Sequence, residues 1–537
     1  MYRRRYTPER ITHLAPNEIF VFGSNLDGAH GGGAARLAYN RFGAVWGQGV
    51  GLQGQSYAIP TMHGGVDVIK PYVDEFISFA RQHPEYLFLV TKIGCGIAGF
   101  NEEDIAPLFA SAIDVENVIL PESFVNIIAT VECSVIMTKE HIIRDKIRGC
   151  LMAGAAGDAL GYEVEFMRRR AILSRFGENG ITKFALDSNG KALISDDTQM
   201  TLFTANGMLM GLTRGYMRGI GGRPEKYVDG AYLDWYYTQT GKKREMLIDD
   251  WHPTWLRDLP EMAHLRAPGN TCLSACESLF RGEKAQNNSK GCGGIMRVAP
   301  MALLDAGYAS RSENGYSIEE LAVAGGEIAE VTHKHPLGFL SASLLTVLLY
   351  KIVPMSPKQV CEEIDGIVAD TVNILDRLYK GKYDADKRYL KELTTKAMRL
   401  AHSDVADAIA IRQLGEGWVA EETWAIALYC AIRHIDSVED AIIASVNHDG
   451  DSDSTGSVCG NIMGAIYGYE HIKERNIFCP EGKKLEDVLE LSEIILTLAD
   501  DLSTGCIISE YDPIDTPEKR QWYERYCKMR PAGIVKR

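Results

Sequence analysis

The feature that most constrains the fold is a glycine repeat that follows an oxygen-rich segment near the C-terminus. Gly456, Gly460, Gly464 and Gly468 recur at every fourth position, directly after residues 447–455 (NHDGDSDST). Residues four apart lie on the same face of an α-helix, and a glycine inside a helix costs roughly 1 kcal/mol relative to alanine. The repeat therefore predicts a helix that another backbone approaches closely along this face.

The segment before this helix carries more oxygen-bearing side chains than a helix start requires. Asp449, Asp451 and Asp453 lie among serine, threonine and glycine residues. One Asp or Ser is enough to cap a helix, so capping alone is the alternative interpretation. Clustered oxygen ligands suit a hard cation such as magnesium or manganese. We therefore predict a metal site at this helix start.

The composition of the chain limits the cellular compartment in which it can reside and the partners that it can bind. The 537 residues allow about two to four domains, and the net charge of −15 gives no bulk attraction to nucleic acid or anionic membranes. The cysteines form no CxxC pair, which is typical of free thiols in a reducing compartment. The basic N-terminus has no apolar segment after it, and the apolar run 337–353 is too short to span a bilayer. We expect a cytoplasmic protein.

The first part of the chain, from residue 17 to about 135, alternates between strand and helix patterns. Residues 19–22 and 86–90 read as short buried strands, and the glycine loops 28–33 and 94–99 follow them. Such loops place a ligand at the carboxyl ends of the strands, because glycine lets backbone N–H groups approach a phosphate. Ordinary tight turns are the alternative for each loop taken alone.

Together the two loops resemble a macro domain, the ADP-ribose-binding module. The matching pieces are Asn25 and the segments 31–34 (GGGA), 57–61 (YAIPT) and 94–99 (GCGIAG), although the strand opening 21–25 departs from the usual macro pattern. The resemblance implies a divergent macro-like α/β layer domain over residues 1–137, with binding, hydrolysis and loss of the ligand left open. Its second ADP-ribose site would consist of Asn25, Gly31, Gly32, Gly33, Gly94, Gly96, Ile97 and Phe100.

Helical patterns dominate from residue 138 to 512 and predict a large all-α domain. Just before it, residues 127–129 and 135–137 read as strands, and Thr138 reads as the N-cap of the first helix. Residues 513–537 are rich in lysine and arginine and are expected to form a loose basic tail.

Three further polar segments interrupt the helical domain. Residues 157–166 end a small-residue helix and carry Glu165 into a loop, Ser195-Asp196-Asp197 opens another helix, and His333 lies between two helix patterns. Adjacent acids at a helix start are favoured by the macrodipole, so capping is again the alternative for this pair. With Asp451, Asp453 and Ser454, the second segment offers enough oxygen ligands for two magnesium ions.

A helical domain with these motifs in this order, from about residue 142 to 505, resembles the ADP-ribosylglycohydrolase family, which includes the dinitrogenase reductase-activating glycohydrolase. The resemblance implies a Mg²⁺-dependent hydrolase, with Mn²⁺ as an alternative ion, that removes ADP-ribose from modified protein side chains. The implied metal ligands are Ser195, Asp196, Asp197, Asp451, Asp453 and Ser454. The implied substrate residues are Ser289, Lys290, Gly291, Cys292, Gly293 and Gly294 around the diphosphate and His333 at the ribose. Asp197 or Glu165 would move the proton, and Asp449 departs from the family, which usually has glycine there.

The linkage that is cleaved and the partners follow from finer details of the resemblance. Residues 450–455 and 266–269 (RAPG) resemble arginine-directed members more than serine-directed ones, so we expect an ADP-ribosyl-arginine protein as substrate and ADP-ribose as product. The alternative is a catalytically silent ADP-ribose-binding or immunity protein that blocks an ADP-ribosyltransferase. A phosphoesterase is disfavoured because no histidine-rich ligand set accompanies the aspartates. Nucleic acid as the modified substrate stays open.

Overall fold

The computed structural model describes residues 6–219, 223–242, 254–309 and 315–527, except for the side chains of residues 130–138 and 309. The chain divides into two compact units, Met1–Thr138 and Lys139–Arg537.

The N-terminal unit is an α/β layer, as the alternating patterns predict. Its described elements are β1 (Glu18–Ser24), α1 (Gly33–Arg41), β2 (Gly51–Gln53), β3 (Ser56–Pro60), α2 (Val66–Gln82), β4 (Leu87–Val90), α3 (Glu102–Ile105), a 3₁₀-helix (Ala106–Ala112) and β5 (Val118–Ile119). The strands form a sheet in the order β2-β3-β1-β4-β5. Strands β3, β1, β4 and β5 are parallel, and β2 is an antiparallel edge strand.

The central strand β1 is buried on both faces because its alternate side chains enter two separate cores. Ile19 and Val21 pack with the cluster that contains Phe76 of α2. Phe20 and Phe22 pack with Ala38 of α1. Successive strand residues point to opposite faces, so an apolar run without alternation is what a sheet covered on both faces requires. The parallel arrangement brings the carboxyl ends of β1, β3 and β4 to one edge.

The predicted strands at residues 127–129 and 135–137 and the helix start at Thr138 are wrong. A single helix, α4, runs from Glu122 to Tyr162. Between Glu122 and Arg148 the sequence contains no glycine or proline to end it, and Phe124 and Ile128, four residues apart, are both buried. A short apolar run does not distinguish strand from buried helix by its pattern alone. The boundary between the two compact units falls within this helix.

In the described residues of the second unit, the regular secondary structure is helical apart from two isolated β-bridges, Ala192 with Leu489 and Gly291 with Val419. After α4 its helices are α5 (Arg169–Phe176), α6 (Asp196–Arg218), α7 (Val228–Thr240), α8 (Asn270–Phe280), α9 (Ala299–Ala309), α10 (Ile318–Glu330), α11 (Pro336–Ile352), α12 (Pro357–Asn373), α13 (Asp384–Ala401), α14 (Asp407–Leu414), α15 (Ala420–Arg433), α16 (Val438–Val446), α17 (Ser452–Tyr467), α18 (Tyr469–Arg475), α19 (Leu485–Val488), α20 (Ser492–Thr504) and α21 (Pro517–Tyr526). Short 3₁₀-helices cover Pro224–Tyr227, Trp255–Asp258, Pro260–Met262, Cys292–Arg297 and Ile374–Asp376. None of the helices in the described ranges combines the length and the apolar character that crossing a membrane requires.

The glycine repeat of α17 packs against small residues of α4, which confirms the predicted close approach. The antiparallel pairs are Gly456 with Gly157, Gly460 with Ala153, and Gly464 with Gly149. A Cβ atom added at Gly456 would lie 2.5 Å from the Gly157 carbonyl oxygen. At the end of α4, a Cβ atom added at Gly161 would lie 2.6 Å from the backbone nitrogen of Asp453. The glycines therefore bring the last turns of α4 against the first turn of α17.

The C-terminal segment differs from the loose tail that its basic residues predict. Helix α21 buries Trp522 and Tyr526, and the Trp522 indole N–H donates to the Thr213 hydroxyl on α6 at 2.9 Å. The Arg525 guanidinium pairs with Asp501 on α20 at 2.8 Å. Trp522 and Tyr526 form an apolar face on α21, which the number of charged residues in this segment does not reveal. Residues 528–537 of the predicted tail lie outside the described residues.

Candidate active site

The start of α6 presents Ser195, Asp196 and Asp197, and Asp158 of α4 holds it in place. Ser195 is the N-cap, and its hydroxyl accepts a hydrogen bond from the Asp197 backbone N–H at 3.1 Å. The Asp158 carboxylate accepts from the backbone N–H of Ser195 at 3.0 Å and from that of Thr198 at 3.1 Å. The N-terminal backbone N–H groups of α6 therefore have acceptors from their own cap and from a second helix.

Asp158 is a site residue that the sequence motifs did not identify. It stands alone as an acid in the small-residue run 155–161 (AAGDALG), and it is fully buried. A buried acid needs partners, so this pattern is a usable sign of a supporting residue. Its partners, however, lie about forty positions later in the chain and only the fold identifies them.

The start of α17 is built in the same way. Asp451 is the N-cap, and its carboxylate accepts a hydrogen bond from the Ser454 backbone N–H at 3.2 Å. The Asp453 carboxylate accepts from the same N–H at 2.9 Å. Helix capping, the alternative explanation for both motifs, therefore accounts for Ser195 and Asp451. It leaves Asp196 and Asp197 without a capping role.

The two helix starts meet as a buried cluster of acids. The side chains of all six predicted ligands are buried: Ser195, Asp196, Asp197, Asp451, Asp453 and Ser454. Burial raises the pKa of Asp196, Asp197 and Asp451 well above its usual range, and the negative charge of Asp453 adds to each increase. Asp453 on α17 thus acts on acids of both helix starts, across about 250 residues of sequence.

Glu165, in the turn after α4, faces the same acids. Burial raises the pKa of Glu165 to about 10, and the negative charges of Asp453 and Asp451 contribute to the increase. Glu165 Oε2 and Asp197 Oδ2 are buried without a hydrogen-bond partner among the described residues. A buried carboxylate oxygen that lacks a partner is costly, and a proton or a cation would relieve that cost.

The chemistry of these side chains decides whether a metal ion fits the acid cluster. Within the described ranges, no set of three or more His, Cys, Asp or Glu side chains already converges as a metal cage. The donors that the sequence predicts are carboxylates and serine hydroxyls, which are the oxygen ligands that magnesium accepts. Several buried acids without a compensating cation are ionised only at high cost. The residues present therefore fit a hard divalent cation.

The segment 266–269 wraps around the start of α6. The Asp196 backbone N–H donates to the Arg266 carbonyl oxygen at 2.9 Å, and the Gly269 N–H donates to the Asp196 carboxylate at 3.2 Å. Ala267 has a φ of +52°, a left-handed conformation that costs energy in a residue with a Cβ atom. Arg266 pairs with Glu490 at 2.9 Å. The motif that suggested an arginine-directed enzyme therefore borders the acid cluster.

The glycine loop 289–294 reaches the acid cluster through Cys292. Its thiol lies against Asp451 and Ser454, and burial together with the Asp451 charge raises the pKa of this thiol well above its usual range. The Cys292 backbone N–H donates to the Trp418 carbonyl oxygen at 3.2 Å. The predicted diphosphate loop is thus adjacent to the predicted metal ligands.

Lys290 and His333 support this loop. The Lys290 ammonium pairs with the fully buried carboxylate of Glu421. The His333 side chain is 2 % exposed, and a Cβ atom added at Gly293 would lie 3.1 Å from its ring. Burial and then the positive charge of Arg297 lower the pKa of His333 to about 3. His333 therefore packs behind the glycines as a neutral imidazole.

Asp449, the residue that departs from the family pattern, does not point at the predicted metal ligands. Its carboxylate accepts a hydrogen bond from the Arg169 backbone N–H at 2.9 Å and pairs with Arg412 at 3.3 Å. Its carbonyl oxygen accepts from the Arg168 guanidinium at 2.9 Å. The Asp449 carboxylate therefore has its partners outside the predicted ligand set. Asp449, in the loop before α17, thereby connects this loop to the start of α5 and to α14.

Replacing Asp449 by glycine should lower the melting temperature by about 2 °C and leave the predicted magnesium site intact. The variant loses one backbone hydrogen bond and one largely exposed ion pair, together worth about 1 kcal/mol. Asp449→Asn is the matched control because an amide oxygen can still accept from the Arg169 N–H. Thermal melting with and without Mg²⁺ separates the two effects. A lost Mg²⁺ response in Asp449→Gly would place this residue among the ligands after all.

The N-terminal unit has its own cavity at the carboxyl ends of β1, β3 and β4, with a volume of about 290 Å³. Of the predicted second-site residues, its lining includes Asn25, Gly31, Gly32, Gly33, Gly94, Gly96 and Ile97. The Asn25 side chain also holds its own turn, because it accepts from the Ala29 N–H at 2.8 Å. Phe100 is absent from the lining and packs against the core of this unit. The structure thus brings the two glycine loops together and turns the predicted aromatic residue inward.

Comparison with known proteins gives a family match over the helical unit. Residues 139–507 match the sequence profile described as ADP-ribosylglycohydrolase. The human protein named ADP-ribosylhydrolase ARH3 is 25% identical over 236 residues, covering 40% of this chain and 62% of that protein. The bovine protein of the same name is 26% identical, covering 40% and 61%. The ADP-ribosyl-(dinitrogen reductase) glycohydrolase of Rhodospirillum rubrum is 22% identical over 363 residues, covering 66% and 97%. The chain therefore spans about three fifths of the length of the ARH3 relatives.

Proposed function

This chain belongs to the ADP-ribosylglycohydrolase family, and on that premise we propose that its helical unit removes ADP-ribose from modified protein side chains. The observation that carries the proposal is the buried acid cluster formed by the starts of α6 and α17. The names of the human and Rhodospirillum rubrum relatives describe the same class of reaction. The proposal extends this activity to the present chain.

We further propose that two Mg²⁺ ions bind at Ser195, Asp196, Asp197, Asp451, Asp453 and Ser454. When bound, the ions would supply positive charge that orients the ribose hydroxyls and activates the attacking water. Asp158 holds the first helix start through its bonds to the Ser195 and Thr198 N–H groups. The close packing of α4 on α17 holds the second. Both ligand sets thus stand on helix termini whose positions are set by packing.

Glu165 and Asp197 are the residues that we propose for proton transfer. Cleavage of a glycosidic bond to ribose passes through an oxocarbenium-like state, in which water loses a proton and the leaving group gains one. Glu165 Oε2 and Asp197 Oδ2 are the two buried carboxylate oxygens of the cluster that lack a partner among the described residues. In the metal-free protein, burial and then the charges of Asp453 and Asp451 raise the pKa of Glu165 to about 10, so Glu165 holds a proton there. Bound cations would lower this pKa, and the carboxylate could then exchange its proton with water or the leaving group.

We propose ADP-ribosyl-arginine as the substrate, and an assay of several linkages tests this choice. Incubation with arginine-, serine- and nucleic-acid-linked ADP-ribose, with and without Mg²⁺, should give release from the arginine linkage and only with the ion. Asp196→Ala should abolish release and metal binding together, because the remaining ligands cannot complete the site. Full activity of metal-free Asp196→Ala would contradict the mechanism. Tight binding of ADP-ribose without release from any linkage would support the silent or immunity protein instead.

We propose a second ADP-ribose site in the cavity of the N-terminal unit. The support is that glycines of both loops line one cavity at the carboxyl ends of parallel strands, which suits a diphosphate. The macro-like identity of this unit is part of the proposal. Such a site would hold modified targets or the released product.

Isothermal titration of the full chain with ADP-ribose tests this second site. A Cβ atom at Gly96 meets no other atom within 4 Å, so Gly96→Asp should fold normally and place a carboxylate beside the diphosphate. We expect the number of ADP-ribose molecules bound per chain to fall from about two to about one by like-charge repulsion. Gly96→Ala is the matched control and should keep both. Unchanged binding in Gly96→Asp would leave this unit without an ADP-ribose site.

A further inference from the structure

The N-terminal unit has a second, larger cavity beside the one that contains the glycine loops. Its volume is about 1430 Å³, whereas the glycine-loop cavity measures about 290 Å³. The two cavities share four lining residues, which are Gly33, Ala34, Thr91 and Lys92. Cavities for small molecules measure about 300–1,000 Å³, so the smaller cavity is at the lower limit and the larger one exceeds the range. We call the larger cavity, which is lined by residues 6–12 and by parts of α1 and α4, the N-terminal groove.

The charged residues of the N-terminal groove have both signs. They are Glu9, Arg10, Arg41, Lys92 and Glu122. Lys92 pairs with Glu102 at 2.7 Å. The side chains of Arg10 and Arg41 have no ion-pair partner among the described residues. The two carboxylates of the groove repel a strongly anionic ligand such as nucleic acid, so the groove suits a ligand of mixed charge.

The backbone of residues 9–12 is open to further hydrogen bonds. The segment is fixed at Thr7, whose N–H donates to the Leu120 carbonyl oxygen at 2.9 Å and whose hydroxyl donates to the Ile119 carbonyl oxygen at 2.7 Å. The main-chain N–H and C=O groups of residues 9–12 have no protein partner in the part of the chain that the structure describes. An extended polypeptide offers matching donors and acceptors along its length. The N-terminal groove therefore suits a segment of protein.

We propose that the N-terminal groove binds the polypeptide that carries an ADP-ribose group, while the ADP-ribose itself occupies the glycine-loop cavity. This inference rests on the proposed second ADP-ribose site. The diphosphate lies at the glycine loops, and the distal ribose, to which the carrier is attached, lies at the shared residues Gly33, Ala34, Thr91 and Lys92. The N-terminal unit thus recognises modified proteins in preference to free ADP-ribose, because only a modified protein fills both cavities.

Fluorescence anisotropy tests this preference with labelled free ADP-ribose and a labelled peptide that carries ADP-ribose on one arginine. The full chain contains Asp196→Ala and is kept in metal-free buffer, so that the proposed active site does not cleave the peptide. Binding that is lost on adding Gly96→Asp belongs to the N-terminal unit. For this binding we expect the modified peptide to have an affinity about tenfold higher than that of free ADP-ribose, since a few main-chain hydrogen bonds each contribute a small factor.

Thr12→Trp is the decisive variant, because Thr12 is exposed and lines the N-terminal groove but not the glycine-loop cavity. The indole occupies space that the peptide needs. The affinity for the modified peptide should fall to that for free ADP-ribose, and the affinity for free ADP-ribose should stay unchanged.

His13→Trp is the matched control. His13 is also exposed and is not among the described lining residues of the groove. Both substitutions remove the same exposed hydrogen bond, which joins the Thr12 hydroxyl to the His13 imidazole at 3.1 Å, so only the position of the indole differs. His13→Trp should alter neither affinity. A peptide advantage that survives Thr12→Trp, or that His13→Trp removes equally, would overturn the proposal.

Other outcomes separate this inference from the proposed second site. Equal Gly96-dependent binding of free ADP-ribose and modified peptide overturns the inference alone. If neither ligand shows binding that Gly96→Asp removes, the second site fails and the inference fails with it. A larger gain for an ADP-ribosylated oligonucleotide than for the peptide would make nucleic acid the occupant. A peptide preference that appears only after deletion of residues 2–5 would make the chain's own N-terminus the occupant, and either of these last two results overturns the inference.

Discussion

Replacing Asp453 by asparagine is expected to raise the melting temperature of the metal-free protein while it abolishes hydrolysis. The Asp453 charge contributes to the raised pKa of five buried acids, which are Asp158, Glu165, Asp196, Asp197 and Asp451. Removing this charge relieves repulsion that the folded state bears and the unfolded state does not. We expect a rise of about 2 °C or more in metal-free buffer. Activity should fall by about 10²-fold or more, because a charged group at the reacting centre is lost.

The stabilisation that we expect from Asp453→Asn should depend on pH. Burial, followed by the Asp453 charge, raises the pKa of Asp158 to about 7, whereas an unfolded Asp has a pKa of about 3.9. An acid with a higher pKa in the folded state contributes most stability below its unfolded pKa, and this contribution is lost as the pH rises toward 7. The metal-free protein should therefore melt at a lower temperature at pH 8 than at pH 5, and the advantage of Asp453→Asn should grow across this range.

Magnesium supplies the second measurement for this variant. Mg²⁺ should raise the melting temperature of the unaltered protein, because an ion that binds only the folded state stabilises it. Asp453→Asn should show little or no such rise. Asp404→Asn, at an exposed position on the same unit, is the matched control and should keep both activity and the magnesium response. A variant that retains turnover and the full response to Mg²⁺ would remove the acid cluster from the proposed mechanism.

The second large effect is expected from alanine at Gly460. A Cβ atom there would overlap the Ala153 carbonyl oxygen of α4, and a helix backbone cannot move aside as a flexible side chain can. Overpacking of this kind costs about 1–3 kcal/mol or more, which exceeds the roughly 1 kcal/mol that alanine gains over glycine in a helix. The separation of α17 from α4 should also displace Asp453, so Mg²⁺ should stabilise the variant less than the unaltered protein.

Gly366 provides a matched control in the same unit. It lies inside α12, and a Cβ atom there meets no other atom within 4 Å. Gly366→Ala should therefore raise the melting temperature slightly, by the helix propensity alone. Thermal melting of both variants, with and without Mg²⁺, gives the comparison. If Gly460→Ala were as stable as Gly366→Ala, the close approach of the two helices would not be what the glycine repeat provides.

Much of the candidate site could be predicted from local sequence. The glycine repeat predicted a closely packed helix because residues four apart share a helix face, and its partner is the small-residue run of α4. The two acid-rich helix starts were recognisable because they contain more oxygen ligands than capping needs. Residues 19–33 and 86–99 each indicated a strand followed by a glycine loop, and the two loops meet at one cavity. Each of these features is encoded within about twenty consecutive residues.

Errors arose where a local pattern admits two structures. Residues 127–129 are apolar and short enough for a strand, yet they lie inside α4, because only packing distinguishes a buried strand from a buried helix. The basic C-terminal segment read as a tail, whereas Trp522 anchors α21 to α6. In both cases the burial of a few side chains against distant helices outweighs the local signal.

The sequence by itself determined the candidate site residues, and the tertiary structure decided which of them lie close together. Spacing and residue type identified Asp196, Asp197, Asp451 and Asp453, since helix period and donor chemistry are local properties. The role of Asp158, the direction of Asp449 and the stacking of Phe166 on Trp418 were decided by the fold. Each depends on groups about 40 to 280 residues apart in the chain. Such contacts follow from the packing of whole helices, and a short stretch of sequence is not sufficient to predict them.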